Sequence, residues 1–158
     1  MNKTIAIQGA EGSNHHKVAR DFYGTLIALK ECMSFYALVD SLLDSSANVG
    51  LMALENTIAC SIIPNYALID TNDLHIVGEE YLNINHHLMA LPVQQIAHIK
   101  EVWSHPMALL QCKELFKKHP HIKLVEDVDT ADVAKRIAKG NVVGIAAIAP
   151  RIAAEIFD

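Results

Sequence analysis

The sequence predicts an α/β fold with mainly parallel sheets and flanking helices. Strand-like and helix-like segments alternate from one end of the chain to the other. The strand segments are short apolar runs such as Ile5-Ala6-Ile7, Val49-Gly50-Leu51 and Ile145-Ala146-Ala147. The junctions between segments carry Ser, Thr, Asp, Gly and Pro, the residues that start and stop helices. With 158 residues, 51% of them hydrophobic, the chain can bury a core without staples and make one domain or two small lobes.

Residues 4–8 read as a buried strand and residues 13–23 as a helix opened by Ser13. Residues 26–32 return to strand. Phe35, Leu38, Val39, Leu42 and Leu43 recur at helical spacing behind Ser34, which suits an N-cap. Residues 48–54 form a strand of small apolar side chains. Residues 58–69 are expected to be helical, with Pro64 weakening the middle unless the helix starts there. Residues 74–84 are long and extended, interrupted by Gly78-Glu79-Glu80, and the stretch 78–85 is the best crossover between lobes. The expected division is residues 1–79 with 150–158 as one lobe and residues 80–149 as the other. Residues 88–91 form a strand ended by Pro92, and residues 100–103 another. A helix follows, with Pro106 in its first turn and Leu109, Cys112, Leu115 and Phe116 on one face. Residues 121–125 are a strand. Residues 130–139 are a helix with Val133, Ala134, Ile137 and Ala138 inward and Gly140 as its stop. Residues 142–147 are a strand, and residues 150–157 a last short helix.

Composition excludes several functions. Net charge is −5 with a pI near 5.9, and cations are adjacent only as the isolated pairs Lys117-Lys118 and Lys135-Arg136, so no nucleic-acid partner is expected. Apolar runs are too short to cross a bilayer, and no cationic-then-apolar leader precedes the first strand. The expectation is a cytoplasmic protein with no membrane partner. Cys32, Cys60 and Cys112 are scattered and make no C-x-x-C pair, so they are expected to be reduced, Cys60 and Cys112 as small core residues. The nine histidines include no H-E-x-x-H and no Cys/His zinc spacing, and G-x-S-x-G is absent. No metal site and no hydrolase elbow are expected.

Ligands of open α/β sheets bind beyond the carboxyl ends of the strands, so the strand-to-helix junctions hold the candidates. Gly9-Ala10-Glu11-Gly12-Ser13 supplies a tight turn and a hydroxyl, without G-x-G-x-x-G or Gly-Lys-Ser/Thr. Glu55-Asn56-Thr57 brings three polar side chains out of an apolar strand. In Ser104-His105-Pro106, Ser104 can cap, while His105 faces either solvent or a ligand as donor or acid. Asp129-Thr130-Ala131-Asp132 opens a helix with Asp129 or Thr130 as cap. Singly, each is what an ordinary turn or cap looks like. Together, four helix starts offer unshared N–H groups and hydroxyls suited to a small dianion, each worth up to ~2 kcal/mol in sheltered geometry.

These junctions, in this order, resemble prephenate dehydratase. The segments are Ile7-Gln8-Gly9-Ala10-Glu11-Gly12-Ser13, Ala53-Leu54-Glu55-Asn56-Thr57, Ser104-His105-Pro106-Met107-Ala108-Leu109-Leu110-Gln111-Cys112, Asp129-Thr130-Ala131 and Ala146-Ala147-Ile148-Ala149. They span essentially the whole chain. The resemblance implies a two-lobed fold like that of type 2 periplasmic binding proteins, with the active site in the cleft. It implies conversion of prephenate to phenylpyruvate, with loss of water and carbon dioxide, in phenylalanine biosynthesis. It also implies no metal or organic cofactor, a dicarboxylate substrate and a homodimer. It places Ser13, Thr57, Ser104, Thr130 and Ala131 at the substrate and leaves Glu55, Asn56 and His105 as catalytic candidates.

Three departures from the family pattern matter. Its Gly-Thr-Phe-Ser loop is here Gly12-Ser13-Asn14-His15, and its glycine after Glu-Asn-Ser/Thr is here Cys60. Its Thr-Arg-Phe motif supplies the favoured catalytic threonine and an arginine that anchors substrate charge. That motif has no counterpart here, because none of Arg20, Arg136 and Arg151 follows a threonine. The chain is therefore expected to be a prephenate dehydratase domain cut short before that motif, or a degenerate relative, without the family's regulatory domain and weak or inactive as a catalyst. Two competing expectations are a module that binds a small carboxylate without chemistry and a domain whose cleft is vestigial.

Overall fold

The computed structural model describes residues 3–58 and 60–157. Met1 and Asn2 ahead of the first strand, Ala59 of the predicted helix 58–69, and Asp158 of the predicted first lobe lie outside the described residues. The chain divides into two compact units, residues 1–10 with 14–82, and residues 11–13 with 83–158.

In the first unit, β1 (Thr4–Gln8) lies between β2 (Ala28–Cys32) and β3 (Val49–Leu51), all three parallel. Ile5, Ala6 and Ile7 are fully buried. Successive strand residues point to opposite faces. Ala6 therefore packs with Cys32, Leu38 and Ala47, while Ile5 and Ile7 pack with Ala19. Ala19 belongs to α1 (Asn14–Tyr23) and Leu38 to α2 (Phe35–Leu43). Ser34 caps α2 as the sequence predicts, its Oγ accepting the Ala37 N–H at 3.1 Å.

The helix expected over residues 58–69 is divided. β4 (Glu55–Asn56) and β5 (Cys60–Ser61) pair antiparallel, and α3 spans Ile63–Thr71 with Pro64 in its first turn. Proline is tolerated there because the first helical N–H groups have no partner within the helix. Residues 74–85 carry neither helix nor strand.

In the second unit, β6 (His86–Met89), β7 (Glu101–Ser104), β8 (Lys123–Glu126) and β9 (Ile145–Pro150) form a sheet in the order β6-β9-β7-β8. β7 is parallel to both its neighbours, and β6 runs antiparallel to β9. β9 is buried on both faces. Ala146 and Ile148 pack with Val102, Leu109 and Phe116, whereas Ala147 and Ala149 pack with Ala131, Val133, Ile137 and Ala153. Val102 is on β7, and the other partners sit on α4 (Pro106–Gln111), α5 (Lys113–Phe116), α6 (Thr130–Gly140) and α7 (Arg151–Phe157).

Three details correct the sequence reading. The helix after Pro106 leaves helical backbone at Cys112 (ψ 4°) and restarts as α5, so Leu115 turns out to be 41% exposed. The left-handed residue closing α6 is Asn141 (φ 47°), one place beyond Gly140. Asparagine is the commonest substitute for glycine at such a position. Cys60 is exposed and Cys112 half-buried, so Cys32 alone of the three free thiols is a core residue.

Candidate functional site

In the first unit, the Glu55-Asn56-Thr57 segment is a hairpin. Glu55 is exposed, and both its carboxylate oxygens accept hydroxyl hydrogens: Oε1 from Tyr66 at 2.6 Å and Oε2 from Ser61 at 2.9 Å. Hydrogen bonding to Glu55 raises the Tyr66 phenol above its ordinary range. Asn56 is half-buried, and its Oδ1 accepts the Ile58 N–H at 2.8 Å, which folds the tip back. Thr57 is exposed at that tip. The tip closes through Cys60 at φ 61°, a left-handed conformation that favours glycine.

His15 also belongs to the first unit. Its ring packs edge-on against Phe35 at 5.9 Å. Desolvation pushes its pKa down to about 4, opposed by a hydrogen bond to the Gln8 backbone. The ring is thus neutral at physiological pH.

In the second unit, Gly12 has φ 89°, and a Cβ there would lie 3.1 Å from Phe157 Cε2 and 3.2 Å from Ala153 Cα. The loop lies against α7, and Ser13 beside it is 4% exposed. Ser104 is fully buried and donates its Oγ hydrogen to the Ile148 carbonyl at 2.6 Å. It ties β7 to β9 instead of capping α4. The cap is His105, whose Nδ1 accepts the Met107 N–H at 3.2 Å. A neutral imidazole has one acceptor and one donor nitrogen, so Nε2 carries the proton.

β7 and β8 pair with Ser104 opposite Glu126, and the Asp127 N–H donates to the Ser104 carbonyl at 2.9 Å. This register brings the Ser104-His105-Pro106 segment beside the loop that leads into α6. His105, Pro106, Glu126, Asp127 and Val128 line an open hollow of about 380 Å³ at the carboxyl ends of β7 and β8. Asp129 caps α6 by accepting the Asp132 N–H at 2.8 Å; Thr130 remains half-buried. The Ala131 side chain is wholly in the core, so its backbone is what it can offer a ligand.

The charge around the hollow is acidic. Arg136 lies 5.9 Å from the Trp103 ring and is held by Asp127 at 2.6 Å and Asp132 at 2.9 Å. The Asp127 carboxylate raises its pKa further. Arg151 is paired with Glu155 at 3.0 Å along α7. Neither guanidinium is an uncommitted anchor for an anion. Among the described residues, no three His, Cys, Asp or Glu side chains are grouped so as to hold a metal, and no helix is long and apolar enough to cross a membrane.

The family profile described as prephenate dehydratase matches residues 5–158. The chain belongs to the prephenate dehydratase family. A bifunctional chorismate mutase/prephenate dehydratase of Buchnera aphidicola subsp. Acyrthosiphon pisum is 33% identical over 153 residues, covering 94% of this chain and 40% of that protein. Among solved structures, one described as GqqA, a novel type of quorum quenching acylase, superposes with a TM-score of 0.85 at 25% identity, over 98% of this chain and 56% of that one. The prephenate dehydratase of Staphylococcus aureus subsp. aureus Mu50 gives 0.76 at 21% identity, over 99% of this chain and 57% of that one. The α/β fold with mainly parallel sheets is thus the fold of the prephenate dehydratase domain. The chain spans about two-fifths of the length of these curated relatives.

Sequence reasoning missed Tyr66 and Ser61 as partners of Glu55. Both contacts depend on the β4–β5 hairpin, which the expected helix over residues 58–69 hid. Pro64 was the signal that could have revealed it, because a helix starting at Ile63 leaves residues 55–61 free to fold back.

Proposed function

We infer that this chain binds prephenate and converts it to phenylpyruvate, as the catalytic part of a prephenate dehydratase. The family match across residues 5–158 carries this reading. On it, Ser13, Glu55, Asn56, Thr57, Ser104, His105, Thr130 and Ala131 are the residues that serve the substrate. The same reading makes the protein a cytoplasmic, cofactor-independent homodimer.

The reaction consumes one proton and releases water and carbon dioxide as the ring becomes aromatic. Aromatisation supplies the driving force, so the protein must hold a dianion in one orientation and protonate the departing hydroxyl. His105 suits a hydrogen bond to that hydroxyl, because its Nδ1 is taken by the Met107 N–H and its Nε2–H remains as a donor. Helix-start amides near Thr130 and the Ser13 loop suit the side-chain carboxylate. The ring carboxylate must be left weakly held, and the acidic rim of Glu126 and Asp127 fits that need. An acylase reaction like that of the GqqA neighbour needs an activated nucleophile. Ser104 does not fit that role, since its hydroxyl is buried and committed to the Ile148 carbonyl.

Prephenate turnover by the purified chain, read as phenylpyruvate absorbance, tests the proposal. Slow but measurable turnover is expected, falling about tenfold in His105→Asn, which keeps an N-cap acceptor but shortens the donor, roughly the loss of one hydrogen bond. The second reading is a binding module without catalysis. It is favoured by the lack of a threonine-arginine pair in these 158 residues and by the pairing of Arg136 and Arg151 with carboxylates. Calorimetric binding of prephenate without product would select it. Neither binding nor turnover would reject both.

A further inference from the structure

We propose that Tyr66 and Ser61 are positioning residues for Glu55, forming a hydroxyl clamp that turns its carboxylate into a fixed acceptor for a substrate hydroxyl. The inference rests on the reading that Glu55 faces prephenate. Its geometry lies wholly within the first unit. Tyr66 comes from α3 and Ser61 from β5, and they donate to opposite oxygens of Glu55 at 2.6 Å and 2.9 Å. A carboxylate has about four lone-pair sites, and the clamp fills two of them. What is left is an anion with acceptor capacity and one permitted orientation.

Such a group repels both carboxylates of a dianion and attracts its alcohol. Glu55 is therefore assigned to orienting the leaving hydroxyl, with proton delivery left to another group. Without the clamp, an exposed glutamate samples many rotamers, and orientation has to be regained at each binding event. The groups acting on the Tyr66 phenol are Glu55, through the hydrogen bond and its charge, and Tyr81. Both hold the phenol protonated, so its hydrogen bond to Glu55 persists through neutral pH.

Two measurements test the clamp. The first needs no turnover: titration of the four tyrosines by tyrosinate absorbance in the wild type and in Glu55→Gln. Tyr66, identified by its loss in Tyr66→Phe, should titrate above the ordinary tyrosine range and fall back in Glu55→Gln. A Tyr66 titration unmoved by Glu55→Gln overturns the proposal. The second is a double-mutant cycle on prephenate turnover or, where turnover is too slow, on prephenate affinity. Tyr66→Phe should cost about tenfold alone and nothing further in a Glu55→Gln background. Equal losses in both backgrounds mean that Tyr66 does not act through Glu55 and overturn its positioning role. A wild-type chain that neither binds nor converts prephenate rejects the function and with it the clamp's role toward a substrate. In that case the phenol titration still decides whether the hydroxyl pair holds Glu55.

Discussion

Replacing Cys60 by glycine is expected to stabilise the protein. Cys60 sits at φ 61°, where a Cβ crowds the neighbouring carbonyl. That crowding costs roughly 1–2 kcal/mol for a residue other than glycine. Glycine removes this cost but adds about 0.4–1 kcal/mol of backbone entropy to the unfolded chain. Cys60 is exposed, so loss of its thiol forfeits no buried surface. The net gain is about 0.5–1 kcal/mol, which for a chain of this size raises Tm by roughly 1–4 °C. Thermal and urea melts of Cys60→Gly, with Cys60→Ala as control, measure it. Alanine keeps the Cβ and should gain nothing. A Cys60→Gly protein that melts at or below the wild type, or an alanine variant that gains as much, would refute the argument from backbone strain.

Two further outcomes follow from the same geometry. Gly12→Ala combines a positive φ with contacts of 3.1 and 3.2 Å to Phe157 and Ala153. It should lose about 2 kcal/mol in a urea melt, and an unchanged midpoint would show that α7 yields freely. His15 binds its proton at about pH 4 in the folded state against 6.5 ordinarily. The unfolded chain therefore holds more protons between these values, and stability present above pH 6.5 is lost as pH falls toward 4. The loss is of order 3 kcal/mol. His15→Ser should flatten that limb of the stability profile, and an equally steep limb in the variant would place the titration elsewhere.

The sequence made the sheets legible because burial writes itself into composition. Ile5-Ala6-Ile7 and residues 146–149 admit almost no polar substitution when helices cover both faces. The Ser34 cap was legible for a local reason, since its hydrogen bond reaches only to Ala37. The hairpin at Glu55 was not, because two short strands of two residues each carry no periodicity to read. Ser104 illustrates the same limit. A serine before Pro106 looks like a cap, and only the register of β7 against β9 shows that its hydroxyl belongs to Ile148. His105 then takes the cap, which the sequence offered no means of ranking above Ser104. The five motif segments hold the candidate site residues; the partners of Asn56 and His105 lie two residues on, whereas those of Glu55 and Ser104 come from farther along the chain.

Calorimetric titration of prephenate into the wild type, Asn56→Ala and Thr130→Ala tests most directly whether these two residues bind prephenate. The account predicts saturable binding to the wild type and affinity weakened about tenfold in each variant, the loss of one good hydrogen bond. Binding that survives intact in either variant, or none at all by the unaltered chain, would contradict it.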